Sequence, residues 1–371
     1  MINQYLFELL QVAVGHRTEL TACPTDEEWV TLYDMCKQQA LVGIAYKACE
    51  KLPLEQRPQE LLFLKWLGLA NRVRQANRLL IEECAEITKS FENEGIHCLV
   101  LKGLSNRANY GEELCDYRTS GDIDLWTWAD EGGIARIVEF TNQHCIAHGL
   151  PVMPWHRILY YHVESRTARG TEVELHYRPS YLNCLWRNRR LQKWFVDERS
   201  GVKDLPIPSN SFNAVYQLLH IYKHLFEEGI GLRQILDYYF VLCQGSKVEG
   251  QGFTEEEKEA IMKSLISFGM RKLAGAMMYV LQTVFSMPSA YLLCDPDVAE
   301  GRFLLNEIMM AGNFGKHDKR ITRDGGKMRH AWEKLKHNFR LVGHYPEEVL
   351  WEPVFRSYHW IWRRFALWRY E

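Results

Sequence analysis

From Asn3 to about Gly95, apolar residues recur at helical spacing among polar ones, with Leu6, Leu9 and Leu10 first and Leu61, Leu62, Leu64 and Leu67 later. That spacing predicts helices with one buried face. Pro53 and Pro58 mark a break between helices, and Asn71 to Phe91 is filled with long side chains of high helix propensity. The period then changes. His97–Leu101 is a short β-favouring run, and Ile123–Trp128 alternates, with Asp122 and Asp124 on one side and Ile123 and Leu125 on the other. A helix is predicted over Ile134–His148, then strands over Ile158–Val163 and Thr171–Tyr177, divided by a polar turn at Arg169-Gly170. After Pro206 and Pro208 the helical pattern returns over Phe212–Phe226, Leu232–Leu242, Glu255–Ser267 and Arg271–Phe285. Asn313–Gly326 reads as a mobile loop, and Pro346–Glu371 as an aromatic, basic helix. The expected class is α+β. A small mixed-sheet core (96–205) lies between a helical N-terminal region (1–95) and a helical C-terminal domain (206–371).

Composition narrows the function classes. The 371 residues are 47% hydrophobic and 25% charged, which is a folded chain rather than a disordered one. A formal net charge of −2 exerts no global pull on nucleic acid, so any affinity for polyanions must be local. The ten cysteines are scattered with no C-x-x-C pair, which disfavours a zinc ribbon and suits small buried hydrophobes in a reducing compartment. The N-terminus lacks the pattern of a signal peptide, and no uncharged apolar run reaches the ~18–20 residues of a transmembrane helix. A cytoplasmic location is expected.

The chemistry concentrates in Leu101-Lys102-Gly103-Leu104-Ser105 and in Arg118-Thr119-Ser120-Gly121-Asp122-Ile123-Asp124-Leu125. Residues i and i+2 of a strand share a face. Asp122 and Asp124 could therefore bridge hard divalent cations that also hold phosphate oxygens. Gly103 follows a β run and opens a helical stretch, so backbone N–H groups there could receive a phosphate. Arg118 could offer a bidentate fork to phosphate. Glu174, in Val173-Glu174-Leu175-His176, is the expected third carboxylate, and Glu172 shares its face as the fallback.

Several residues admit a plainer role. His220 and His224, one helical turn apart, line a cleft or contact phosphate, are structural, or least of all hold zinc, since no H-E-x-x-H arrangement is present. Arg233 and Asp237 are most simply an i, i+4 ion pair, and His176 positions Glu174 or takes part in chemistry. The basic stretch Lys316, Lys319, Arg320, Arg323, Lys327, Arg329, Lys334, Lys336 and Arg340 reads first as a solvated face, with RNA or another anionic surface as the alternative. The tail residues Trp351, Phe355, Trp360, Trp362, Phe365 and Trp368 are expected to pack on the protein's own helices rather than on a membrane interface.

With these residues in hand, the chain resembles the bacterial uncharacterised nucleotidyltransferase family within the polymerase-beta-like superfamily. The matching residues are Leu101-Lys102-Gly103, Tyr110, Arg118, Gly121-Asp122-Ile123-Asp124-Leu125, Val173-Glu174-Leu175-His176, His220, His224, Leu232-Arg233 and Asp237. The Arg118-to-Leu125 string is also similar to that of abortive-infection toxin nucleotidyltransferases. The resemblance implies a nucleotidyltransferase fold in which Asp122, Asp124 and Glu174 bind two Mg²⁺ ions, or Mn²⁺. Glu174 would also help to deprotonate an acceptor hydroxyl. The expected nucleotide-binding set is Lys102, Gly103, Ser105, Arg118, Ser120, His220 and His224. The implied reaction moves an NMP from an NTP to a hydroxyl acceptor and releases pyrophosphate. Two departures stand out: Leu104 follows Gly103 where Gly or Ser is usual, and the interval to Asp122 is long. They leave open a catalytically inactive nucleotide- or partner-binding protein. The basic stretch leaves open a toxin-like transferase acting on tRNA.

Overall fold

The computed structural model describes residues 2–152, 158–202, 207–245, 252–318, 320 and 326–367. Pro206, Lys319, Arg323, Trp368 and Arg369 lie outside these, as does most of the expected 313–326 loop's second half. The first helices are α1 (Ile2–Ala13), α2 (Asp26–Gln38), α3 (Val42–Lys51) and the long α4 (Glu60–Glu92). Then come β1 (Ile96–Val100), α5 (Lys102–Asn106), α6 (Gly111–Leu114), β2 (Ile123–Ala129), α7 (Gly133–Ala147), β3 (His162–Arg166) and β4 (Glu172–His176). The remainder is helical. It comprises α8 (Leu185–Val202), α9 (Asn210–Glu227), α10 (Leu232–Gln244), α11 (Glu255–Ser267), α12 (Arg271–Phe285), α13 (Val298–Ala311), α14 (Lys327–Val342) and α15 (Pro346–Leu367). The class is α+β with a small mixed sheet, as expected. Among the described residues no helix is long and apolar enough to cross a membrane.

Packing gathers the chain into two units, each assembled from several stretches. The first comprises 1–78, 106–120 and 224–334. Its centre is the apolar stripe Leu6, Leu9 and Leu10 of α1, all fully buried, beside the T-shaped pair Trp29 and Trp66 with ring centroids 6.2 Å apart. Trp66 satisfies its indole N–H on the Val42 carbonyl at 2.8 Å, as a buried indole requires. α2 and α11 start at sequence-readable capping boxes, Thr25 with Glu28 and Thr254 with Glu257. α3 runs so close to the 115–118 turn that a Cβ on Gly43 would meet the Tyr117 carbonyl oxygen at 2.2 Å. Gly43→Ala should therefore destabilise the chain by about 1–3 kcal/mol through overpacking, read as a shift of the urea midpoint.

The second unit comprises 79–105, 121–223 and 335–371 and contains the whole sheet, in the order β1-β2-β4-β3. β2 is antiparallel to β1 and parallel to β4, and β3 is antiparallel to β4. Period-2 alternation divides the strands cleanly. Ile123, Leu125, Val173, Leu175 and Val163 enter a core with Phe91 of α4 and Ile137 and Val138 of α7. The alternate positions, Asp124, Trp126, Glu174 and His176, therefore face the other way. Trp126 is covered there by Phe212 of α9, stacked at 5.6 Å and 16°, and by Phe195 of α8.

One expected strand shifts. The strand expected at Ile158–Val163 begins at His162, because Ile158 and Tyr160 bury as loop residues and pairing starts only where His162 faces His176. α8 and α13 carry only a weak apolar stripe in sequence, yet they form where tertiary packing supplies the stability. The aromatic tail packs on its own unit only in part: Phe355 stacks on Tyr181 at 4.6 Å and Trp362 lies edge-on to Tyr160 at 5.4 Å, whereas Trp360 and Phe365 are exposed.

Glu348, in the first turn of α15, is buried against the 183–184 segment, where its carboxylate accepts from the Asn183 N–H at 2.5 Å. Burial pushes this carboxyl up from 4.5 to about 7; the Asn183 and Cys184 N–H groups and Arg187 oppose that shift, and Glu347 reinforces it. The folded chain thus keeps a proton that the unfolded chain has already released. Stability is fullest below pH 4.5 and declines as pH rises toward 7. The decline should be on the order of 3 kcal/mol. Urea midpoints across that window should show the slope, and Glu348→Gln should flatten it.

Candidate active site

The parallel register of β2 and β4 sets Asp124 directly beside Glu174, both on the sheet face opposite the apolar core. Asp122 lies just before β2 and is partly exposed, whereas Asp124 is only 3% exposed. One carboxylate oxygen from each of Asp122, Asp124 and Glu174 lies within 4.8 Å of the others. At the adjoining end of β1, the Leu101 N–H donates to the Asp124 carbonyl at 2.8 Å, carrying the pairing one residue beyond the strand. Lys102 then turns into α5 with φ +50, a left-handed conformation uncommon for a non-glycine residue. Strain of this kind is typically held in place by surrounding contacts at functional sites. Here the contacts are visible: the Lys102 ammonium donates to Asp124 Oδ1 at 2.5 Å and to Glu174 Oε2 at 3.3 Å.

His176 completes this group. Its Nε2 lies 2.9 Å from Asp124 Oδ1 and 3.0 Å from Glu174 Oε2. The electrostatics follow from crowding like charges in a dry place. Burial pushes the Asp124 carboxyl well above its usual range; Lys102 opposes this, and Asp122 and Glu174 reinforce it. Burial would raise Glu174 as well, but Lys102, then His176 and His162, hold it well below. Burial alone would lower Lys102, yet Asp124 and Glu174 lift it well above an ordinary lysine. His176 falls to about 4, through burial and then Lys102, so its ring is neutral near pH 7. A cation is therefore already seated among these acids, in the form of an ammonium. The all-oxygen donor set of Asp122, Asp124 and Glu174 suits Mg²⁺, a hard ion.

The other expected residues are placed as follows. Gly103 and Ser105 lie in the five-residue α5; Ser105 is buried and donates its hydroxyl to the Lys102 carbonyl at 3.0 Å. Glu172 is exposed and paired with Arg166, away from the role of fallback ligand. His220 belongs to the sheet-bearing unit, buried with its ring stacked on Tyr216 at 6.4 Å.

Arg118, Ser120 and His224 belong to the other unit. Arg118 does not present the free fork expected of it. It is buried, with Nε and Nη2 each 2.6 Å from an oxygen of Asp237, and its Nη1 donates to Ser120 Oγ at 2.9 Å. Asp237 also accepts from the Tyr110 hydroxyl at 2.7 Å. The bidentate partner of Asp237 is thus Arg118 rather than Arg233, whose guanidinium donates to the Thr119 carbonyl at 2.8 Å. His224 lies 3.6 Å from Glu228 and edges Phe314.

Sequence reasoning passed over Lys102 as a carboxylate partner and missed His162 entirely. The one available signal for His162 was its place on a strand that pairs with the Glu174-bearing one.

The sequence model of a family described as Uncharacterised nucleotidyltransferase matches residues 25–286, a span that contains every candidate residue above. No curated protein and no solved structure matches the chain.

Proposed function

The chain belongs to the uncharacterised nucleotidyltransferase family, and from that premise we propose that it transfers an NMP from an NTP to a hydroxyl-bearing acceptor. The observation that carries the proposal is the carboxylate group Asp122, Asp124 and Glu174, gathered on one sheet face with Lys102. These carboxylates would hold Mg²⁺, which supplies charge neutralisation and orients phosphate oxygens for in-line displacement. In that reaction the acceptor oxygen forms a bond to the α-phosphorus. The bond from that phosphorus to the oxygen bridging to the β-phosphate breaks, and pyrophosphate leaves. Glu174, which its cationic and imidazole neighbours keep ionised, is positioned to take the acceptor's proton. Lys102 and the Gly103 N–H are the groups nearest to hand for the triphosphate, with Lys102 released from the acids when they are neutralised otherwise. Preorganised charge of this kind is where phosphoryl transfer gains most.

We place the reaction in the cytoplasm, a reducing compartment where the scattered free cysteines would persist. The basic stretch adds little support for an RNA acceptor. Arg320 is paired with Glu307 and Asp318, and Lys334 donates to the Phe226 carbonyl.

The test is incubation with each α-labelled NTP and Mg²⁺, following pyrophosphate release and label transfer to small and large acceptors from a cell extract. Mg²⁺ should also raise Tm, since an ion that binds only the folded chain stabilises it. An unchanged Tm at saturating Mg²⁺ removes the metal from the proposal. One observation favours a second reading, a nucleotide-binding protein without transfer: Lys102 already neutralises Asp124 and Glu174. NTP binding by calorimetry with no pyrophosphate released would select it.

A further inference from the structure

Beside the all-oxygen group, the same sheet face carries a set of different donor character. β3 runs antiparallel to β4 so that His162 lies directly opposite His176, and Glu174 shares the face two residues before His176. The two imidazoles meet with centroids 5.0 Å apart at 80°, edge to face rather than stacked. Glu174 Oε2 is 3.0 Å from His176 Nε2 and 3.7 Å from His162 Nδ1. One donor atom from each of the three lies within 4.8 Å of the others. Donors bound to one ion at about 2.0–2.2 Å sit roughly 3–3.6 Å from each other, so small ring rotations bring this set onto an ion.

A second, independent observation concerns unmet polarity. His162 is 3% exposed, and neither ring nitrogen has a hydrogen-bond partner among the described residues. The nearest carboxylate oxygens, on Glu174 and Glu164, are 3.7 and 3.8 Å away, too far for a hydrogen bond. His176 is 1% exposed and its Nδ1 is likewise without a partner among the described residues. A buried imidazole left this way carries an uncompensated desolvation penalty. Coordination through a His162 lone pair would offset it for that ring.

We propose that His162, His176 and Glu174 form a binding site for a borderline-soft divalent cation such as Zn²⁺, separate in donor chemistry from the oxygen site and sharing Glu174 with it. Imidazole nitrogen suits Zn²⁺ and its neighbours in the transition series, not Mg²⁺. Three protein ligands leave a coordination position open, the arrangement of reactive rather than structural zinc. The Lys102 ammonium, 3.3 Å from Glu174 Oε2, is the cation that an incoming ion must displace from this carboxylate. None of this depends on the transferase reading, because it rests on the histidines and on a side chain whose ionised form both readings use.

The experiment uses the full chain, stripped with chelator and titrated with Co²⁺ in a background of Mg²⁺ sufficient to fill the oxygen site. The wild type should bind one equivalent and develop the visible ligand-field bands of a four- or five-coordinate ion. Zn²⁺ should displace Co²⁺, and excess Mg²⁺ should not. His162→Gln and His176→Gln should each weaken binding by more than the roughly 10–100-fold that outer-shell changes cost, with folding verified by circular dichroism. Asp122→Ala should bind Co²⁺ as the wild type does. Loss of binding in Asp122→Ala with retention in His162→Gln would overturn the proposal, since only the oxygen site would then exist. X-ray absorption of the wild-type Zn²⁺ complex needs no variant: two imidazole scatterers at about 2.0 Å are expected, and fewer than two would overturn the assignment. Failure of the transferase reading would appear separately, as absent pyrophosphate release with Co²⁺ binding intact.

Discussion

Asp124→Ala should reduce pyrophosphate release by roughly 10³-fold or more, at least the effect of deleting one preorganised electrostatic group. Asp122→Ala should do the same. Asp124 has the larger structural case. Its register beside Glu174, its burial and its contacts with Lys102 and His176 place it at the centre of the charge cluster. The fold should survive its removal. Burial already disfavours the charged form of Asp124, and Lys102 keeps Glu174 as a partner at 3.3 Å. Circular dichroism and a thermal melt should therefore resemble the wild type while transfer is lost. Full activity in both alanine variants would remove these carboxylates from the chemistry and the proposed function with them.

Arg118→Ala is expected to produce the largest loss of stability, about 3–5 kcal/mol, because it leaves Asp237 buried without its bidentate partner. The pair is held on both oxygens at 2.6 Å with each side chain about 95% buried, and Tyr110 donates to the same carboxylate. Asp237→Ala should cost a similar amount, and the double variant less than the sum, since no lone buried charge remains. Urea unfolding reads all three. The outcome also decides what Arg118 is for. A phosphate-binding arginine would lose NTP affinity and little stability, whereas a structural one loses stability first. A penalty below about 1 kcal/mol, the value of an ordinary exposed pair, would restore Arg118 to the nucleotide.

Much of the carboxylate site was legible because strand chemistry is local. The alternation around Asp122-Ile123-Asp124-Leu125 and Val173-Glu174-Leu175-His176 announces both the faces and the acids, and the structure keeps both. The bounds of α11 and α12 match the sequence expectation residue for residue, and α11 opens on a capping box. What escaped notice lies farther apart. Arg118 finds a partner 119 positions away, which no spacing rule anticipates. Lys102 reads as a phosphate ligand until β1 and β2 are paired; only then is its ammonium seen between two acids. α8 carries Arg187, Arg189, Arg190 and Trp186 around its circumference, so periodicity is weak although Leu191 and Phe195 are buried.

By itself, then, the order of residues determined the strands that carry the acids, several of the helices around them, the two faces of those strands, and which acids stand where an ion could be held. Those properties depend on neighbours within a few positions, where backbone geometry alone relates one side chain to the next. The tertiary structure decided the pairing of charges and rings: Lys102 with Asp124 and Glu174, Arg118 with Asp237, His162 against His176. Electrostatic and hydrogen-bond partners are chosen by proximity in a low-dielectric interior, and that proximity exists only after the strands have found their register.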